Sequence, residues 1–251
     1  MKVNTIGLNS VRLNTIALNH IGEIRSGGGD SKPSPIPQWI REHIVFYYDV
    51  KKQGATNETL KESAYLQDLS GKGRRMKLNN FLFDMMSGIG KDNSLVTDGV
   101  DDYGLVENLS SGVKMLFMTV NPIGNFNSFK NYYSQMRNAA SQPFCVYSTP
   151  AGIAYNYSNL NGITYIDGVL NESIGCTKLW GLKHTITIVN DTVNPTNSGQ
   201  PAFFSREEWR KGYYSKIAFY NSIAFDSIPT EADGFTEQEL IDYVLTNIIG
   251  Q

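Results

Sequence analysis

The sequence predicts a mainly β protein, an antiparallel β-sandwich with one C-terminal helix and a repetitive β arm at its N-terminus. Three observations predict it. Aromatic residues make up 12% of the chain (14 Tyr, 12 Phe and 3 Trp) and charged residues only 18%, a balance that suits pleated, half-buried surfaces better than helical bundles. Short apolar runs, several alternating with polar residues, recur between Gly, Asn and Pro. One segment near the C-terminus carries apolar residues at helical spacing behind a capping signal.

The arm comes first in chain order. Val3-Asn4-Thr5-Ile6-Gly7, Leu8-Asn9-Ser10-Val11-Arg12, Leu13-Asn14-Thr15-Ile16-Ala17 and Leu18-Asn19-His20-Ile21-Gly22 form a five-residue repeat, aliphatic at places one and four and Asn at place two. On an α-helix each unit would rotate the apolar pair by about 140°, so no stripe forms. On a straight strand the odd period sends alternate units to opposite faces. A chain that bends once per unit, as in a square β-solenoid, or an extended arm gripped on both faces fits the pattern; an unstructured Asn-rich tail is the alternative. Four units of a solenoid cannot bury their own aliphatic residues, because stacking needs several coils. Ile6, Leu8, Val11, Leu13, Ile16, Leu18 and Ile21 are therefore the anchoring and oligomerisation candidates. The repeat resembles pentapeptide-repeat proteins, and its phrase Leu-Asn-Thr-Ile-Ala-Leu-Asn is similar to arms at the N-termini of virion proteins of gut-bacterial phages. That resemblance implies a structural virion protein, such as a head fibre, capsid decoration or tail-associated protein. The partners it implies are further copies, most simply a trimer, and capsid or other virion proteins held through residues 1–24.

Ser26-Gly27-Gly28-Gly29, followed by Pro33, Pro35 and Pro37, reads as a flexible joint and a stiff spacer over residues 25–37. Residues 38–251 then form the main domain. Trp39 to Val50 opens it with a turn and an apolar strand. Further strands are expected at 114–120, 144–148, 152–157, 162–169, 184–189 and 214–225. Thr236 with Glu239 makes a capping box, and Leu240, Ile241, Val244, Leu245 and Ile248 recur at helical spacing.

Two phrases carry a further resemblance. Asp68-Leu69-Ser70-Gly71-Lys72-Gly73 and Asp98-Gly99-Val100-Asp101-Asp102-Tyr103 are similar to signatures of laminin-G-like, concanavalin-A-like jelly-roll domains, and the last strand and helix agree. Thr97 stands where such domains carry Phe. The resemblance implies a jelly roll, a ligand rim of carbohydrate-binding type, and calcium as one rim ligand. Asp98, Asp101 and Asp102 are its metal candidates, since hard oxygen donors suit that ion; the alternative is an Asp-Gly turn with Asp102 facing water. No cofactor is otherwise required.

Other chemistry finds little support. The net charge of −2 gives no field to gather nucleic acid or an anionic membrane. No apolar run of signal-peptide or membrane-spanning type occurs, so the expectation is synthesis in a host cytoplasm and display on the virion surface. Cys145 and Cys176 read as free thiols, and His20, His43 and His184 as structural. Gly71-Lys72-Gly73-Arg74-Arg75 lacks the phosphate-loop pattern and reads as a solvated turn. Glu207-Glu208 reads as charged surface, and no E-x-D-x-x-E run supplies the paired carboxylates of a glycosidase. The expectation is a non-enzyme that displays a glycan-holding domain, with Trp180, Trp209 and Tyr213 as binding candidates. The alternative is a free carbohydrate-binding protein or glycan-cleaving enzyme of a gut bacterium.

Overall fold

The computed structural model describes residues 36–84, 86–109, 112–124, 130–135, 144–149, 152–153, 163–171, 179, 181–189, 200–205 and 213–250. The repeat arm, the Gly run, Trp180, Trp209, Cys176 and Glu207-Glu208 lie outside them. The chain enters through helix α1 (Ile36–His43) and strand β1 (Ile44–Asp49), then α2 (Asn57–Ser63), β2 (Tyr65–Leu66), β3 (Met76–Asn79), β4 (Gly88–Ile89), β5 (Leu95–Val96) and β6 (Tyr103–Val106). It continues through β7 (Met115–Gly124), β8 (Lys130–Gln135), β9 (Phe144–Thr149), β10 (Gly152–Ile153), β11 (Ile163–Ile166) and β12 (Val169–Leu170). β13 (His184–Val189), β14 (Ala202–Phe203), β15 (Lys216–Phe225) and α3 (Glu237–Tyr243) complete it, and α3 runs on as a π-helical segment, Val244–Ile249.

These strands form two antiparallel sheets, so the fold is the mainly β sandwich with a C-terminal helix that the sequence predicts. One sheet has the order β12-β11-β13-β7-β15-β5-β4, with β1 also on β15; the other has the order β10-β9-β8-β14-β6-β3-β2. Between them lies a core that includes Phe46, Tyr48, Met118, Val120, Tyr133, Ile186, Phe203 and Phe219. The first sheet has a second apolar face. Alternation along its strands turns Tyr47, Phe117, Val189, Ile223 and Phe225 outward, where they pack with Trp39 and Ile40 of α1 and Leu240, Ile241, Val244 and Ile248 of the C-terminal helix. Trp39 meets Phe225 at 5.4 Å between ring centroids and Phe235 edge-on at 5.7 Å. With both sides covered, all six residues of β1 are buried.

Two local readings change, and one short helix is new. The turn expected before β1 is helix α1, which starts at Ile36, inside the Pro-rich stretch, because Pro37 suits the first turn of a helix. The run 162–169 is a hairpin and not one strand: Asp167 and Gly168 both take positive φ (51° and 83°), the pair of values a two-residue type I′ turn needs. Helix α2 lacks a long apolar pattern and is set by Thr56, whose side chain accepts from Thr59 N–H while Thr59 answers back to the Thr56 N–H. The C-terminal capping box forms as expected, with Thr236 Oγ1 accepting from Glu239 N–H at 3.2 Å and Thr236 N–H donating to Glu239 Oε2 at 2.7 Å. Thr236→Ala should cost about 1 kcal/mol in chemical denaturation, and a loss below a few tenths would show that packing alone fixes this helix.

Candidate functional site

The outer face of the first sheet is apolar only where helices cover it. Just past the end of the C-terminal helix its residues turn polar, and they do so along one register row. Asp49 of β1 lies opposite Asn221 of β15, Asn221 opposite Thr119 of β7, and Thr119 opposite Thr185 of β13. Asp167, at the turn after β11, extends the row: its Oδ1 accepts from Thr185 N–H at 2.8 Å, and its own N–H donates to Thr185 O at 2.9 Å. Asp49, Thr119 and Asn221 each continue the outward phase of an apolar neighbour two residues away, Tyr47, Phe117 and Ile223.

This row floors a cavity of about 500 Å³, within the range of roughly 300–1,000 Å³ usual for small-ligand sites. Leu245, Ile249 and Gly250 form one wall, and Asp92, Asn93, Lys183 and Tyr220 another. The floor is fixed by its own bonds. Thr119 Oγ1 and Thr185 Oγ1 share a hydrogen bond of 2.9 Å, Tyr47 Oη donates to Asp49 Oδ2 at 3.2 Å, and Lys52 N–H donates to Asp49 Oδ1 at 2.8 Å. His184 Nδ1 lies 2.6 Å from Asp167 Oδ2. In the wall, Tyr220 Oη donates to Asp92 Oδ2, Asp92 Oδ1 accepts from Ser94 Oγ at 2.6 Å, and the Lys183 ammonium sits 4.3 Å from the Tyr220 ring centroid. Burial pushes the Asp49 carboxyl above its ordinary range against the pull of Lys52, and burial with the Asp92 bond pushes the Tyr220 hydroxyl up to about 12.

One floor atom stands apart. Asn221 is 4% exposed, and its carboxamide oxygen has no hydrogen-bond partner among the described residues. A buried acceptor in that state costs about 1–3 kcal/mol, so a donor brought by a ligand would recover stability there.

Of the residues singled out in the sequence, His184, read there as structural, lines the cavity, and the described metal and aromatic candidates do not. Asp98, Asp101 and Asp102 do come together, with carboxylate oxygens within 4.8 Å of one another. Their oxygens serve the loop: Asp102 Oδ2 accepts from Asp98 N–H at 2.7 Å, Asp102 Oδ1 from Ser87 Oγ at 2.9 Å, and Asp98 Oδ1 from Val100 N–H at 2.7 Å. Asp102 is buried, not turned to water as the Asp-Gly turn reading expected. These bonds give the acidic run a turn-forming role, and no ligand is assigned to it. Burial, with Asp98 and Asp101 adding repulsion, raises the Asp102 carboxyl to about 6. A raised carboxyl makes the native state hold more protons than the unfolded chain between about pH 4 and 6, so this group's contribution falls as pH rises through that window. Measured by urea denaturation, wild type should therefore gain on Asp102→Asn as pH drops from 7 to 4, by no more than about 3 kcal/mol. A pH-independent difference would contradict it.

Tyr213 is half-buried, away from the residues that line the cavity, and Trp180 and Trp209 lie outside the described residues. His43, at the end of α1, pairs with Asp226 at 3.0 Å and ties that helix to the loop after β15.

No protein-family model matches the sequence, and no curated protein matches it either. Among solved structures the chain is similar to the sialidase of Trypanosoma rangeli in complex with 2,3-difluorosialic acid as a covalent intermediate (TM-score 0.53, 11% identity). It is also similar to a mutant of that enzyme displaying trans-sialidase activity (0.52, 10%) and to the enzyme with sialic acid (0.51, 11%). The alignments cover 95%, 92% and 95% of this chain but 38% of each sialidase chain. At such identities the likeness shows a β-sandwich fold and nothing of the enzyme's chemistry. Among the described residues no helix is long and apolar enough to cross a membrane.

Proposed function

We propose that the chain is a structural protein of a phage particle which presents its jelly-roll domain outward and holds a glycan in the cavity beside the C-terminal helix. The observation that carries the binding half is the row Asp49, Asn221, Thr119 and Thr185, four register-paired polar residues that line a ligand-sized cavity, with the buried Asn221 oxygen lacking a partner among the described residues. Sugar recognition depends on such convergent, preset polar groups. The sandwich likeness to sialidase structures solved with sialic acid is in keeping with a carbohydrate ligand. The role read here is binding, with the three cavity carboxylates held as a preset polar lining: Asp49 by Tyr47 and Lys52, Asp92 by Tyr220 and Ser94, Asp167 by Thr185 beside His184. A glycan array probed with the full chain should show saturable binding and no turnover; a blank array removes the glycan reading.

The virion half rests on the five-residue repeat, which is too short to bury its own aliphatic residues and so asks for further copies or a particle surface. The Gly- and Pro-rich segment behind it would let the jelly roll stand off from that surface. The full chain is expected to be an oligomer, most simply a trimer, by light scattering, and Leu13→Asp with Leu18→Asp should reduce it to a monomer. Peptides of this chain should also appear by mass spectrometry in gradient-purified phage particles. A monomeric wild type absent from such particles would contradict this half.

A further inference from the structure

We infer that the cavity selects a neutral, hydroxyl-rich sugar unit and discriminates against sugars bearing a carboxylate or sulfate, an inference that rests on the glycan reading above. Its floor is a set of hydrogen-bond acceptors. Asp49 is 4% exposed, Asn221 brings an unpartnered carboxamide oxygen, and the wall of Leu245, Ile249 and Gly250 is the C-terminal, electronegative end of a helix. The cations stand away from that floor. Lys51 and Lys183 are exposed, and Lys183 is already seated over the Tyr220 ring. Lys52, which is not among the cavity's lining residues, gives its ammonium to the Ile248 carbonyl. The two floor threonines share one hydrogen bond, which leaves one hydroxyl proton to meet an uncharged sugar oxygen.

A sugar hydroxyl is both donor and acceptor, so it can give its proton to Asn221 Oδ1 or Asp49 and bring no charge. A carboxylate offers acceptors only. Seated on this floor it would leave the Asn221 oxygen unpaired and set a negative charge against Asp49 where solvent screens poorly, and repulsion between like charges grows as the local dielectric falls. Of the three lining aspartates, Asp167 is paired with His184, which leaves Asp49 and Asp92 to set against two lining lysines that are both exposed. The sandwich likeness to sialidases therefore does not extend to their acidic ligand at this cavity.

The test compares matched glycans on an array with the full wild-type chain at pH 7: neutral hexose or N-acetylhexosamine termini against the same glycans capped with sialic acid, uronate or sulfate. Neutral termini should bind at least tenfold more tightly than acidic ones, and Asp49→Asn should narrow that ratio. Equal or tighter binding of the acidic series, lost on Asn221→Ala, would leave the glycan site standing and overturn its selectivity. No binding to any glycan would overturn both. The wild-type comparison needs no variant to fold.

Discussion

Replacing Asp68 by alanine is expected to cost about 3–5 kcal/mol, a large share of the roughly 5–15 kcal/mol that holds a domain folded. The residue is 4% exposed. Its Oδ1 accepts from Tyr47 N–H at 3.0 Å and Ser70 N–H at 2.9 Å, and its Oδ2 from Arg74 N–H at 3.0 Å. Around that carboxylate the loop is laced to β1: Leu69 N–H donates to Tyr47 O at 2.7 Å, Arg74 Nη1 to Val45 O at 2.7 Å, and Tyr48 Oη to Arg74 O at 2.5 Å. Alanine strands three backbone donors, each costing about 1–3 kcal/mol where water cannot reach it. Asp68→Asn keeps one acceptor and should lose about half as much. Urea denaturation decides this, and a loss under about 1 kcal/mol for Asp68→Ala would show that the loop is held by Arg74 and Leu69 alone.

Phe203→Ala should cost a similar amount, about 3–5 kcal/mol, for a different reason. Phe203 is fully buried in the two-residue strand β14, and its ring meets those of Tyr133 at 5.1 Å, Phe219 at 5.7 Å, Phe204 at 5.8 Å, Phe46 at 5.9 Å and Tyr48 at 6.0 Å. These rings come from both sheets. Removing the one they share leaves a cavity that close packing cannot collapse, whereas Phe203→Leu should lose no more than about 1.5 kcal/mol. A Phe203→Ala protein with an unchanged urea midpoint would contradict this placement of the core.

The sandwich and its closing helix are legible in the sequence because alternation and capping are local signals. Asp68 and the Asp98–Asp102 run are legible as motifs, while the turns that their carboxylates close become visible only in the fold. β14 is not legible. Two residues carry no period, and only the register with β6 and β8 makes Ala202-Phe203 a strand. The cavity is hidden for a related reason: its floor takes one residue from each of four strands, so no stretch of chain contains it. A trace is present in hindsight. Thr119 interrupts Leu116-Phe117-Met118, Asn221 interrupts the apolar run of β15, and Asp49 ends that of β1, each a polar residue at a position whose neighbours in phase are core.

The measurement that tests the central claim most directly is the affinity, by isothermal titration, of the tightest array glycan for the full wild-type chain and for Asn221→Ala with Thr119→Val. The two side chains lie opposite one another on the cavity floor. Losing the hydrogen bonds they offer a neutral sugar should weaken binding by about 5- to 150-fold, at about 0.5–1.5 kcal/mol for each bond, while the variant still unfolds in one cooperative transition. An affinity unchanged in that folded variant would place the glycan elsewhere and contradict the account.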